Sequence, residues 1–169
     1  QTILQLAEPA SIRGIDRSES FVDFARGHVR DNRVRFEVGD AESLAGDSES
    51  FDAVVSSLML NFVPHPDLAL AEMKRVLKTG GVVAVYVWDY AEGMQFIRHF
   101  FDAAVAVDAK AAEHDEGPRF PICHPDALRQ LFEATGLQNV VVRPIEIQTV
   151  FRTFDDYWNP FLGGVGRAP

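Results

Sequence analysis

Two acids and a pair of serines stand where short apolar runs end. Ser11-Ile12-Arg13-Gly14-Ile15 leads into Asp16, Val34-Arg35-Phe36-Glu37-Val38 leads through Gly39 into Asp40, and Phe51-Asp52-Ala53-Val54-Val55 leads into Ser56 and Ser57. If the three runs are parallel strands of one sheet, all of these groups gather at its carboxyl lip, where open α/β sheets bind their ligands. A carboxylate there offers two acceptor oxygens to two hydroxyl donors, which is the chemistry that holds a ribose. The competing reading is that each acid only caps the helix or turn that follows it. Two acids converging beside a strand-helix-strand unit favour a shared ligand.

The unit that positions them runs from Phe51 to Asp89. Its first run is apolar after Asp52, which predicts a strand buried on both faces. Pro64, Pro66 and Asp67 mark a helix start. Leu70, Met73, Val76 and Leu77 then recur at helical spacing, with Glu72, Lys74 and Lys78 expected to face away. Gly80 and Gly81 are expected to stop the helix, and Val82-Val83-Ala84-Val85-Tyr86-Val87-Trp88 to form a second buried strand. The crossover makes these two strands parallel and points to residues 56–62 and 88–90 as ligand-facing loops.

Around this unit the pattern is simpler. The first seven residues read as the last turns of a helix. Ser18 and Glu19 open a helix with Phe21, Val22, Phe24, Ala25 and Val29 as its apolar stripe, and the alternation in residues 34–38 predicts an edge strand. A helix is expected over residues 94–112, broken by the charged, Gly- and Pro-containing stretch 113–121. Another runs from Pro125 to Gly136, followed by a strand over residues 140–147 that Pro144 pushes to an edge or bulge. Phe154, Tyr157, Trp158, Phe161 and Leu162 form a helical stripe expected to pack on the sheet, with a lid or a dimer face as the alternative. Gly163-Gly164-Val165-Gly166 follows a helix rather than a strand and is no phosphate loop.

With 169 residues, 47% of them hydrophobic, the chain can bury the core of a single domain. Its 25 acids outnumber 16 Lys and Arg, giving a net charge of -9 with the basic residues scattered. This disfavours sequence-independent binding to nucleic acid or to an anionic membrane surface. No apolar run is long enough to span a bilayer. The single cysteine, Cys123, allows neither an internal disulfide nor a cysteine-built zinc site, and a reducing cytoplasm is the simplest address. His28, His65, His99, His114 and His124 lack paired ligand spacing, so no metal is expected; His65 and His124 precede Pro-Asp at helix starts. No G-x-S-x-G elbow is present.

Taken together, Gly14-Ile15-Asp16-Arg17-Ser18, Gly39-Asp40-Ala41-Glu42, Phe51-Asp52-Ala53-Val54-Val55-Ser56-Ser57 and Glu72-Met73-Lys74-Arg75-Val76-Leu77-Lys78-Thr79-Gly80-Gly81 resemble the class I S-adenosylmethionine-dependent methyltransferases, in particular their small-molecule branch. The resemblance implies a Rossmann-like α/β fold, a mostly parallel sheet with helices on both faces, in a single domain over residues 1–169. It implies S-adenosylmethionine as cofactor, with Asp16 on the ribose hydroxyls, Arg17 flanking the adenosine, Asp40 accepting from the adenine amino group and Ala41 offering its N–H to the ring. Glu42 belongs to the same cofactor segment, and Ser57 lines the pocket. Asn61 takes the place of the family's aromatic or histidine residue, and Trp88 and Phe120 are candidate walls for a small-molecule substrate. No general base is identified, Asp89 and His124 being the candidates at the right end of the sheet.

The family's first strand and its glycine-rich loop have no counterpart here, nor does its last antiparallel strand. The chain therefore reads as truncated at both ends, its sheet incomplete relative to the seven-stranded family sheet and its own cofactor binding impaired. Two alternatives stand beside this reading. One is a non-catalytic module of the same fold used for binding or dimerisation. The other is a short-chain dehydrogenase, disfavoured because Tyr86, Tyr90 and Tyr157 have no Lys four residues away.

Overall fold

The computed structural model describes residues 2–90 and 92–162. The chain falls into two compact units, Gln1–Tyr86 and Val87–Pro169.

In the first unit, helix α1 (Thr2–Leu6) precedes strand β1 (Ile12–Asp16), helix α2 (Glu19–His28) and strand β2 (Val34–Val38). Ser18 caps α2 as its spacing predicts, its Oγ accepting from the Phe21 N–H at 3.4 Å. β1 and β2 run parallel in register from Ile12 beside Val34 to Asp16 beside Val38. Gly14 is required there, since a Cβ would lie 2.6 Å from the Phe36 ring. Of the apolar stripe expected on α2 only Val22 is buried, while Phe21 and Phe24 are exposed. Two strands cover only a narrow face of a helix.

Strand β3 (Phe51–Ser57), a 3-10 turn (Leu60–Phe62), helix α3 (Pro66–Val76) and strand β4 (Leu77–Tyr86) form the expected parallel unit. Its core is Leu60, Ala69, Leu70, Met73, Val76 and Leu77. The glycine stop is corrected. α3 already ends at Val76, Leu77 is extended, and Gly80 and Gly81 lie within β4. There they absorb a register shift in which Phe51 faces Leu77 but Ala53 faces Val82. Gly80 takes a φ of +80°, and a Cβ on Gly81 would lie 2.8 Å from the Asp52 carbonyl oxygen. A helix C-terminus and some β-bulges both use a residue at positive φ, as Gly80 is here, so the same glycine suits either.

Burial on both faces of this unit is corrected as well. Ser56 is buried and its strand neighbour Val85 half-buried on one face, while Val55 and Val82 on the other are 59% and 60% exposed. The strands also form two separate parallel pairs, β1–β2 and β3–β4, rather than one continuous sheet. The architecture remains mixed α/β with parallel strands and crossover helices.

The second unit contains α4 (Gln95–Val107), a 3-10 segment (Ala109–His114), α5 (Glu116–Arg119), a 3-10 turn (Pro121–Cys123), α6 (Pro125–Ala134) and α7 (Phe154–Leu162). The helix expected over residues 94–112 thus divides at Asp108, whose side chain accepts from the Lys110 N–H and restarts the chain as a 3-10 turn. Residues 140–147 form no strand. Val141, Ile145 and Ile147 are exposed, because β-propensity alone supplies no partner edge. α7 packs on α4 instead of a sheet. Phe161 stacks on Phe100 at 4.6 Å, and the Tyr157 hydroxyl donates to the Phe96 carbonyl at 2.8 Å. The Gly163 to Gly166 run lies outside the described residues.

Tyr90, Phe120 and Cys123 form the buried cluster of this unit with Val87, Met94, Ile97 and Ile122 around it. Burial pushes the Tyr90 phenol up to about 12 and the Cys123 thiol up to about 11. Beside the cluster Arg98 grips Asp115 with both terminal nitrogens, and Asp115 Oδ1 also accepts the Gly117 N–H at 2.9 Å. Each side chain is 19% exposed. The bond from Arg98 holds the Asp115 carboxyl below its ordinary value of 3.8, against the opposing effect of burial. Its stabilisation is therefore present above that value and lost as pH falls through the lower folded one. Acid titration followed by circular dichroism is expected to show this loss below about pH 4. Asp115→Asn removes about 2 kcal/mol at neutral pH and flattens the acid limb; an unchanged acid limb contradicts it.

Candidate functional site

The two acids predicted to converge do so. Asp16 ends β1 beside Val38, and the Gly39 N–H donates to the Asp16 carbonyl at 3.0 Å, so the second acid follows two residues beyond the register partner of the first, at the same end of the strand pair. Asp16 Oδ1 accepts the Ser18 N–H at 2.8 Å, and Asp40 Oδ1 accepts the Glu42 N–H at 3.0 Å. Each acid thus caps its own turn with one oxygen and keeps Oδ2 for another partner. The two readings weighed from the sequence are compatible, because a carboxylate has enough lone pairs for both tasks.

Arg17 follows the first acid and reaches toward the second, its Nε 3.9 Å from Asp40 Oδ2 with both side chains substantially exposed. Ala41 follows with an N–H that has no hydrogen-bond partner among the described residues. Glu42 Oε1 accepts the His65 N–H at 2.9 Å, which fastens this segment to the start of α3. On one side of the lip lies a hollow of about 50 Å³ lined by Arg13, Ile15, Gly39, Asp40, Ser43 and Ala45. A Cβ at Gly39 would come within 2.8 Å of the Ile15 side chain, so the backbone lies tight against this hollow.

Ser57 ends β3 in the other strand pair, exposed and without a hydrogen bond to Asp16 or Asp40 among the described residues. Ser56, its neighbour, points inward. Asn61 lies on the 3-10 turn after β3 and is only 5% exposed, yet among the described residues both of its amide atoms are without partners, as is the Ser56 hydroxyl. A buried polar group without a partner costs about 1–3 kcal/mol. Asn61→Leu is therefore expected to raise the thermal midpoint of the ligand-free protein while lowering its activity. Loss of stability would instead mark the amide as a structural bond donor.

The strand expected to reach Trp88 stops at Tyr86, so in the second unit Trp88 lies outside regular structure and is partly exposed, whereas Phe120 is buried against Tyr90 at 5.3 Å between ring centres. Phe120 is thus a core residue there, because its ring completes the Tyr90 and Cys123 cluster. Asp89 Oδ1 accepts the Glu92 N–H at 3.0 Å and closes a turn. His65 and His124 occupy helix N-cap positions without a side-chain capping bond; their carbonyls accept from Ala69 and Leu128.

Glu72 and Arg75 are the residues that the sequence reading missed. Glu72, expected to face solvent, has a side chain 22% exposed and bonds to the loop that carries Asp40. The available signal was their spacing of three, which sets an acid and a base side by side on one flank of α3.

Comparison with known proteins bears on the whole arrangement. A family model described as a methyltransferase domain matches residues 1–85, the part of the chain that carries both acids and the β3–α3–β4 unit. Demethylmenaquinone methyltransferase of Staphylococcus haemolyticus (strain JCSC1435) is 29% identical over 143 residues, covering 78% of this chain and 60% of that protein. The enzyme of the same description from Staphylococcus aureus (strain JH9) is 31% identical over 143 residues, covering 78% and 59%. The chain thus spans about three fifths of the length of these relatives. Among solved structures, a chain from the Haloferax volcanii complex with the Trm112 methyltransferase activator aligns with a TM-score of 0.60 at 23% identity, covering 80% of this chain and 54% of that one. A methyltransferase candidate from Bacillus halodurans C-125 aligns at 0.53 and 20% identity, covering 75% and 52%. Both carry the same fold. This chain belongs to the class I S-adenosylmethionine-dependent methyltransferases.

Proposed function

We propose that the protein transfers a methyl group from S-adenosylmethionine to a small-molecule acceptor, with the adenosine held at the β1–β2 lip. The observation that carries this reading is that β1 and β2 end side by side, Asp16 closing the first and Asp40 following the second one residue after the Gly39 N–H bond, each acid keeping one carboxylate oxygen uncommitted to its own turn. The residues present fit the adenosine half of the cofactor. Asp16 suits the ribose hydroxyls, Asp40 the adenine amino group, and the unpartnered Ala41 N–H a ring nitrogen. Arg17 flanks the base and Glu42 anchors the segment through His65. In this reading Ser57, at the end of β3, belongs with the cofactor residues, and Asn61 with the acceptor side.

When bound, the cofactor supplies a methyl group already activated by its sulfonium, so an acceptor nucleophile displaces it in line and no protein nucleophile is needed. The protein's own task is to orient the adenosine, exclude water and hold the acceptor. The two Staphylococcus relatives are named for demethylmenaquinone, which makes that compound the first acceptor to assay. The test is calorimetric titration of the native protein with S-adenosylhomocysteine, then methyl transfer to demethylmenaquinone and to a panel of small phenols and amines. Micromolar binding with turnover on one class supports the proposal and overturns the expectation that the cofactor binds this chain poorly. Saturable binding without transfer to any acceptor favours the non-catalytic module, and absence of binding overturns the proposal.

A further inference from the structure

The 40–46 loop carries Asp40 and Ala41, and a chain of charged groups from outside the lip fixes it. Glu72 and Arg75 sit side by side on α3, with Arg75 Nε donating to Glu72 Oε1 at 2.7 Å and Nη2 to Oε2 at 2.8 Å. That fork does not close on itself. Glu72 Oε2 also accepts the Leu44 N–H at 2.8 Å, Arg75 Nη2 donates to the Leu44 carbonyl at 2.7 Å, and Nη1 donates to the Gly46 carbonyl at 3.0 Å. From β1, Arg13 Nη1 donates to the Ala45 carbonyl between them at 2.6 Å. Residues 44, 45 and 46 are therefore each held by a charged side chain. The Asp40 carbonyl, bonded to the Ser43 N–H at 3.2 Å, passes that restraint back to the acid.

The loop needs such restraint. Gly46 takes a φ of +115°, and no β-ladder bonds run through residues 44–46, so without the charged side chains their backbone is free to sample other conformations. Ordering it at the moment of binding would cost affinity, and ordering it in advance removes that cost. The bond from Arg75 also keeps the Glu72 carboxyl below its ordinary range, so the clamp is charged at neutral pH.

We infer that Glu72 and Arg75 are positioning residues for nucleoside recognition: through Leu44 and Gly46 they hold Asp40 and Ala41 where these discriminate a 6-amino purine from a 6-oxo purine. The inference rests on the adenosine reading given above. Neither residue is assigned a contact with the ligand.

The test compares the affinities of S-adenosylhomocysteine and S-inosylhomocysteine by calorimetry. The wild type is expected to prefer the adenosyl ligand by about thirtyfold, as one charge-assisted hydrogen bond would give. Glu72→Ala narrows this ratio at least fivefold, and Glu72→Gln, which keeps an acceptor for the Leu44 N–H, restores part of it. Arg75→Lys keeps the charge but gives up the fork, narrows the ratio as well, and carries the test where Glu72→Ala does not fold. Lys78→Met, which breaks the exposed Lys78–Asp52 pair, leaves the ratio unchanged. Equal weakening of both ligands in the Glu72 and Arg75 variants assigns the clamp to stability alone and overturns the inference. A wild type that binds both ligands equally overturns it too, with the methyltransferase reading intact. A wild type that binds neither overturns both.

Discussion

Asp16→Ala is expected to weaken S-adenosylhomocysteine binding about 100-fold, from the loss of two hydroxyl bonds to one carboxylate worth together about 3 kcal/mol. Folding is expected to change little. Asp16 is exposed, and the intramolecular bond it gives up is the one from the Ser18 N–H. Asp16→Asn keeps an acceptor for that N–H but not the charge, and a loss of about tenfold is expected. A 2′-deoxy ligand supplies the internal control. It has one hydroxyl fewer to lose, so the penalty of the alanine variant shrinks for it. Calorimetry that finds less than a threefold loss in a folded Asp16→Ala protein removes Asp16 from the site.

Leu70→Ala is expected to cost about 2–5 kcal/mol, the range for emptying a fully enclosed leucine site. Leu70 and Leu60 have no exposed surface, and Leu70 seats α3 beside Ala69, Met73 and Val76. A domain has about 5–15 kcal/mol in all, so a large part of the stability rests on one side chain. The functional consequence follows from what the helix carries. With α3 loosened, Glu72 and Arg75 no longer hold residues 44–46, and nucleoside affinity falls with stability although Leu70 has no part in the site. Leu70→Met conserves volume, and its cost is expected below about 1.5 kcal/mol. Urea unfolding with both variants checks the pair; equal midpoints for them would show that α3 is not seated through this leucine.

The lip of the site was legible because its signals are local. Short β-patterned runs of five to seven residues ending on Asp16, Val38 and Ser57 mark strand ends by length and pattern, and a parallel pairing brings the ends of the first two together whatever else the sheet does. Ser18 was legible for the same reason, since its cap spans three residues. Gly80 and Gly81 show where local signals become ambiguous. Freedom at positive φ is visible in the sequence, but whether it ends a helix or serves a bulge depends on which strand lies alongside.

The sequence by itself determined the order of the elements in the first unit, the places where β1, β2 and β3 stop, and the carboxylates available there, because side-chain type and short-range periodicity act over a few residues. Tertiary structure alone decided which surfaces meet. Residues 140–147 have strand composition and no ladder, α7 has an apolar stripe that goes to α4, and Glu72 looks solvent-facing until Leu44, twenty-eight residues away, turns out to be its partner. A hydrogen bond or a packed face needs two members, and one stretch of chain encodes only its own half.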